Sequence, residues 1–194
     1  MSRDRIETLE RQIFELTREL HELRRANAGN EVPNYTFATL DGEASLLDLF
    51  GSRDTLLAIY NMGQGCRYCT LWADGLNGFL PHLESAMAVV LLSKDAPDAQ
   101  RLFANSRGWQ FRLASHAGGD YMVEQSVLPG ETNMPGAVVY ERSGSTIRRK
   151  NACIFGPGDL YCSIWNVLAL AGLCLLYTSP SPRDLSTSRM PSSA

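Results

Sequence analysis

Residues 55–61, Thr-Leu-Leu-Ala-Ile-Tyr-Asn, form a continuous apolar run of strand length, and it feeds a short glycine-bearing loop that ends at Cys66-Arg67-Tyr68-Cys69. An apolar run without alternation suits a strand covered on both faces. Two cysteines separated by two residues, at the start of a helix, lie one turn apart on one face and can close a small disulfide ring. The thiolate is the nucleophile in disulfide exchange, so the chemistry needs a lowered thiol pKa. A helix N-terminus supplies orphan amides and the positive end of the dipole, and Arg67 adds a cation. These features assign Cys66 as the attacking thiolate and Cys69 as the resolving thiol. The competing reading is a structural or metal-binding knuckle.

The flanking periodicities predict what surrounds this motif. Residues 35–39 and 44, separated by Asp41-Gly42, read as a hairpin. Ser45 with Asp48 three residues on reads as a capping box opening a helix over 46–50. A helix is expected from Cys66 to about 84, a second buried strand over 86–92, a helix over 97–106 with Pro97 in its first turn, and a short strand over 110–114. Residues 116–134 carry no clear period. A hairpin over 137–142 and 146–150 and a helix over 159–170 follow, with Asp159 capping that helix. A buried strand delivering Cys-x-x-Cys to a helix start is the signature of the thioredoxin fold. The fold class is therefore α/β: thioredoxin-like, with a central mixed sheet flanked by helices and an added N-terminal amphipathic helix. In such a fold a cis-proline before a late strand packs on the dithiol, and Met134-Pro135 occupies the matching place. Met134, Pro135, Arg67, Tyr68 and Trp72 are the expected substrate-positioning residues. Trp72, one turn beyond Cys69, suits either a cover over the dithiol or a core position.

Ile6, Leu9, Ile13, Leu16, Leu20 and Leu23 recur at alternating three- and four-residue steps, an apolar seam with charged residues on the other faces. This predicts one long helix that either pairs with a second copy as a short coiled coil or docks on the body. Residues 1–30 are read as this helix and its linker, and 31–173 as the thioredoxin-like domain. Residues 174–194 resemble a translated sequencing adapter of the kind found at the ends of environmental DNA reads. They are expected to be non-native, with the natural chain continuing past about Leu173.

The net charge of −3 gives no electrostatic ground for nucleic acid or an anionic membrane as partner. The charged N-terminus lacks the apolar stretch of a signal peptide, and the longest apolar run, 167–176, is too short to span a bilayer. The expected compartment is the cytoplasm, where five cysteines point to redox or metal chemistry rather than a disulfide framework. Cys153 and Cys162 read as buried thiols; a four-cysteine zinc site with Cys66 and Cys69 is the less favoured alternative. His21, His82 and His116 have no ligand-spaced partners. No cofactor is expected.

The strand at 55–61, Cys66-Arg-Tyr-Cys69 with Trp72-Ala-Asp-Gly75, Met134-Pro-Gly-Ala-Val-Val-Tyr-Glu-Arg142 and Phe155-Gly-Pro-Gly-Asp-Leu-Tyr-Cys162 together resemble the bacterial thioredoxin-like family catalogued as domain of unknown function 899. The resemblance covers roughly 32–172 and implies a thioredoxin fold, in outline like peroxiredoxins of the AhpC/TSA type. It implies little about substrate. A peroxiredoxin also needs a hydroxyl three residues before its reactive cysteine; Gly63 stands there before Cys66, and Cys66 itself before Cys69. The expected function is thiol–disulfide exchange on protein or small-molecule disulfides. The alternative is a non-catalytic binding or dimerisation module with structural or zinc-binding cysteines.

Overall fold

The computed structural model describes residues 3–173 and is built around one eight-stranded mixed sheet. In chain order the elements are α1 (Arg3–Ala26), β1 (Asn30–Val32), β2 (Thr36–Thr39), β3 (Gly42–Ser45), α2 (Leu46–Leu49), β4 (Thr55–Tyr60), α3 (Arg67–Ala86) and β5 (Ala88–Ser93). They continue with α4 (Pro97–Arg107), β6 (Arg112–Ser115), α5 (Asp120–Glu124), β7 (Gly136–Ser143), β8 (Thr146–Ile154) and α6 (Ser163–Leu170). The strand order is β1-β8-β7-β4-β5-β6-β2-β3. β4 runs parallel to β5 and β5 to β6, while β7 pairs antiparallel with β4 and with β8. The expected α/β class with a central mixed sheet is therefore observed.

The continuous apolar strands sit at the sheet centre because helices cover both faces. Alternate residues supply separate cores, as the two-residue period of a strand requires. Leu56, Ala58, Tyr60, Val90, Leu92, Val138 and Tyr140 join Phe37, Leu46 and Phe50 on one face. Ile59, Val89, Leu91 and Ala137 join Trp72, Leu80, Trp109 and Trp165 on the other. The first core carries a polar knot at its centre. The Tyr60 hydroxyl lies 2.8 Å from that of Tyr121, and the hydroxyls of Tyr121 and Tyr140 lie 3.1 Å apart, so three buried phenols satisfy one another.

Local chemistry explains the boundaries. Ser45 accepts from the Asp48 amide while the Asp48 carboxylate accepts from the Ser45 amide, the capping box expected from sequence. Pro97 opens α4, and Gly108 closes it in the left-handed conformation. Two elements went unread in the sequence: β1, which extends the sheet beside β8, and α5, a single turn of helix. β8 runs to Ile154, past the expected 150. The last helix starts at Ser163, later than expected. Asp159 does not cap it; its carboxylate instead accepts from the amides of Gly156, Tyr161 and Cys162 and ties the loop before the helix.

α1 forms as its periodicity predicts and buries none of its residues; of the seam only Leu20 is partly covered. The structure of the adapter-like tail lies outside the described residues. Among the described residues, no helix is long and apolar enough to cross a membrane.

Candidate redox site at the start of helix α3

β4 ends at Tyr60, and the next six residues carry the chain from the sheet to the helix. Asn61 anchors the turn: its amide donates to Leu92 O at 2.8 Å, and its side-chain oxygen accepts from the Gly63 amide at 2.8 Å. Gly63 has a φ of +110°, and a Cβ there would lie 2.9 Å from the Asp95 carboxylate. Only glycine fits both the backbone and the space. The same carboxylate accepts from the Gln64 amide at 2.9 Å, so the end of β5 holds the loop that presents the dithiol.

Cys66 is the N-cap of α3, and its sulfur accepts from the Cys69 amide at 3.2 Å. Cys69 is buried one turn further, where its sulfur accepts from the Met62 amide at 3.4 Å. The Cys66 thiol is lowered to about 6, chiefly by a hydrogen bond from the Cys69 thiol and further by the Cys69 and Tyr68 amides, against an opposing effect of burial. Cys69 is pushed well upward by that same bond to Cys66 and then by burial. One sulfur is thus a half-exposed, stabilised thiolate, and the other a sheltered thiol that keeps its proton. This is the asymmetry that stepwise disulfide exchange requires.

A cleft of about 640 Å³ opens over Cys66. Arg67, Tyr68, Trp72, Met134 and Pro135 all line it, together with Cys66 itself, while Cys69 lies below its floor. Every positioning residue expected from sequence is therefore gathered at one place. Met62, Lys94, Asp95, Asn133, Phe155 and Pro157 also line the cleft and were missed. Met62 adjoins the strand leading to the motif, whereas the others come from the loop after β5, the loop before β7 and the loop after β8, with no local signal of their role.

Pro135 corrects one expectation. No cis peptide bond occurs among the described residues, so Met134–Pro135 is trans. Asn133, in the bend two residues before Pro135, adopts a left-handed φ of +55°. The Pro135 carbonyl accepts from the Phe155 amide at 2.9 Å and is thereby engaged within the chain. The following Gly136 is required by close approach, since a Cβ there would lie 2.3 Å from the Cys153 carbonyl oxygen.

Trp72 is both core and cleft. It is 2 % exposed, stacks on Phe155 with ring centroids 5.6 Å apart, and donates from Nε1 to Asp159 at 2.9 Å. Asp74, two residues on and facing away from Trp72 on the helix, instead pairs with Arg107 and accepts from Trp109 Nε1 at 2.7 Å, a structural use.

Cys153 lies on β8 and Cys162 is the N-cap of α6, both away from the start of α3. Burial raises both thiols, and Cys66, Cys69, Cys153 and Cys162 are all free. Among the described residues no three His, Cys, Asp or Glu side chains group as metal ligands, so the four-cysteine zinc alternative is not assembled. His21 and His82 lie exposed on helices. Burial lowers His116 to about 4, and its Nδ1 accepts from the Gly118 amide at 3.1 Å.

Solved structures with this fold include PrxQ from Xylella fastidiosa, a Cys-to-Ser variant, at 15 % identity and a TM-score of 0.55 over 75 % of this chain and 97 % of that one. The peroxidoxin BcpB from Mycobacterium tuberculosis matches at 18 % identity and a TM-score of 0.54, over 80 % of this chain and 99 % of that one. A putative protein disulfide isomerase from Bacteroides thetaiotaomicron matches at 18 % identity and a TM-score of 0.50, over 74 % and 86 %. No curated protein matches the sequence. The sequence matches a family model along residues 2–173, and the chain belongs to that family, described as bacterial protein of unknown function (DUF899).

Proposed function

We propose that this protein is a thiol–disulfide oxidoreductase in which Cys66 attacks and Cys69 resolves. The observation that carries the reading is the Cys66 sulfur at the N-terminus of α3, accepting from the Cys69 amide at the floor of an open cleft. The Cys66 thiolate attacks one sulfur of a substrate disulfide, forming a mixed disulfide and releasing the other sulfur as a thiolate. Cys69 then attacks the Cys66 sulfur. The Cys66–Cys69 disulfide forms, the bound half leaves as a thiolate, and the Cys69 proton passes to it. A dithiol donor resets the pair by the reverse exchange. Met134, Pro135, Tyr68 and Trp72 offer an apolar wall for the substrate, and Arg67 a cation beside the thiolate. The substrates are disulfides of proteins or small thiols, and the proposed compartment is the cytoplasm. The thioredoxin-like unit is proposed to span 31–173, with residues 1–30 as its arm.

The names of the structural neighbours, PrxQ, a peroxidoxin and a putative protein disulfide isomerase, agree with thiol redox chemistry. Gly63 in place of a hydroxyl residue, three positions before Cys66, weighs against the peroxidase form and for exchange. Alkylation followed by mass spectrometry tests the proposal. After mild oxidant Cys66 and Cys69 are expected to be protected together, and both to be released by a dithiol reductant. Both cysteines staying alkylatable under oxidant would overturn it and favour a non-catalytic module.

The pH dependence follows from the thiolate. In reduced protein, the alkylation rate of Cys66 should rise with pH through a midpoint near 6 and level off above it, because the deprotonated form reacts. Cys69→Ala removes the bond that most lowers Cys66, so its midpoint should move upward. A stopped-flow alkylation profile showing a midpoint at the ordinary thiol value in the unsubstituted protein would contradict the electrostatic account.

A further inference from the structure

The body leaves most of the apolar seam of α1 uncovered. Ile6, Leu9, Ile13, Leu16 and Leu23 are each between 41 % and 65 % exposed, although all lie on one seam of the helix. We propose that α1 is the interface of a parallel, in-register, two-stranded coiled coil between two copies of this chain.

Three observations identify a second copy as the occupant. The seam is a heptad repeat, with Ile6, Ile13 and Leu20 at the first apolar position and Leu9, Leu16 and Leu23 at the second. β-Branched residues at two of the three first positions, with leucine at every second position, favour two parallel strands. The charges flanking the seam are complementary to themselves in that arrangement. Parallel pairing sets Arg5 of one copy against Glu10 of the other, and Glu19 against Arg24, on both sides of the seam. Antiparallel pairing sets Arg5 against Ala26 and Gln12 against Glu19, and keeps only Glu10 with Arg24.

The third observation is the root of the helix. The Asn27 side chain bonds Lys150 O and, at 3.3 Å, the Asn151 side chain, and Asn151 Nδ2 donates to Arg24 O at 3.2 Å. Arg24 Nη2 donates to the Tyr161 hydroxyl at 2.6 Å. A guanidinium has five N–H donors, so Arg24 can hold Tyr161 and still face Glu19 of the second copy. The arm is thus fastened to β8 at its C-terminal end and free along the rest, which places both bodies at one end of the coil.

Sedimentation equilibrium of the full chain from about 1 µM to about 1 mM, a range suited to a coil of only three heptads, should show a dimer. Leu16→Glu should give a monomer across that range; the position is exposed, so the body folds regardless. Glu10→Arg should weaken the dimer about 5-fold, and adding Arg5→Glu should restore it. Leu9→Cys should cross-link to its own copy under oxidant, which only the parallel register permits. A monomeric chain at every concentration, including one whose seam captures some other protein instead, overturns the proposal. So does a Leu16→Glu variant that remains a dimer, or a dimer whose Leu9→Cys variant fails to cross-link. Leu9→Cys and Leu16→Glu both lie outside the dithiol cleft, so exchange activity and dimerisation are read separately.

Discussion

Replacing Cys66 by serine is expected to lower disulfide turnover by roughly 10³-fold or more, because a serine hydroxyl stays protonated where the thiol is ionised. The loss reports chemistry rather than unfolding. Cys66 is the N-cap of α3, and serine is a preferred N-cap residue, so the helix start is retained. Cys69→Ser has a different signature. The first exchange still proceeds, since Cys66 keeps its place on the helix, but the buried serine cannot attack the mixed disulfide. Covalent adducts between Cys66 and the substrate should therefore accumulate and be visible by intact mass. Turnover with a small aromatic disulfide gives the first measurement, and intact-mass analysis after substrate addition the second. Turnover that persists in Cys66→Ser would show that another thiol carries the reaction, and Cys153 is the first to examine. Its burial-raised thiol makes it a poor nucleophile, so this outcome would require a rearranged β8.

The dithiol was legible because its determinants are local. A buried strand, a glycine loop, two cysteines and a helix start lie within fifteen residues of one another, and the periodicity of each survives in the sequence. The cleft residues Arg67, Tyr68 and Trp72 follow from the same helix. The cleft as a whole was less legible, since it is closed by contacts across the sheet. Asp95 reaches back from the end of β5 to hold the Gln64 amide. Phe155, beyond β8, stacks on Trp72. Neither contact leaves a pattern in the chain. Pro135 lines the cleft as its place before β7 suggested, but the bond before it is trans, and the isomer of an X–Pro bond is not written in the local sequence. β1 was too short to show alternation, and its pairing with β8 is what extends the sheet. The fate of the α1 seam was undecidable from periodicity alone, since a docked helix and a dimerising one carry the same stripe.

Trp72→Ala is expected to cost about 3–5 kcal/mol of stability, the range for removing a fully buried large aromatic. For a domain of this size that is a fall in melting temperature of roughly 10 °C or more, measurable by calorimetry. The indole touches three parts of the fold at once: it stacks on Phe155, meets Trp165 edge-on at 5.9 Å, and donates to Asp159. Trp72→Phe separates these contributions. It keeps a smaller aromatic face for Phe155 but removes the N–H donor together with part of the indole volume, so it should cost about 2–3 kcal/mol. Asp159 would keep the Gly156, Tyr161 and Cys162 amides. The consequence for the site differs from the consequence for stability. Phe155 and Trp72 form one wall of the cleft above Cys66, and the loop at 156–159 is tied to that wall through Asp159. Trp72→Ala should therefore leave the Cys66 midpoint near 6, which is set by Cys69 and the helix amides, while raising the KM for a bulky disulfide more than it lowers kcat. A loss below about 1 kcal/mol in Trp72→Ala would mean that the indole is not a packing element at all. A shifted Cys66 midpoint would mean that the wall, rather than the helix start, governs the thiolate.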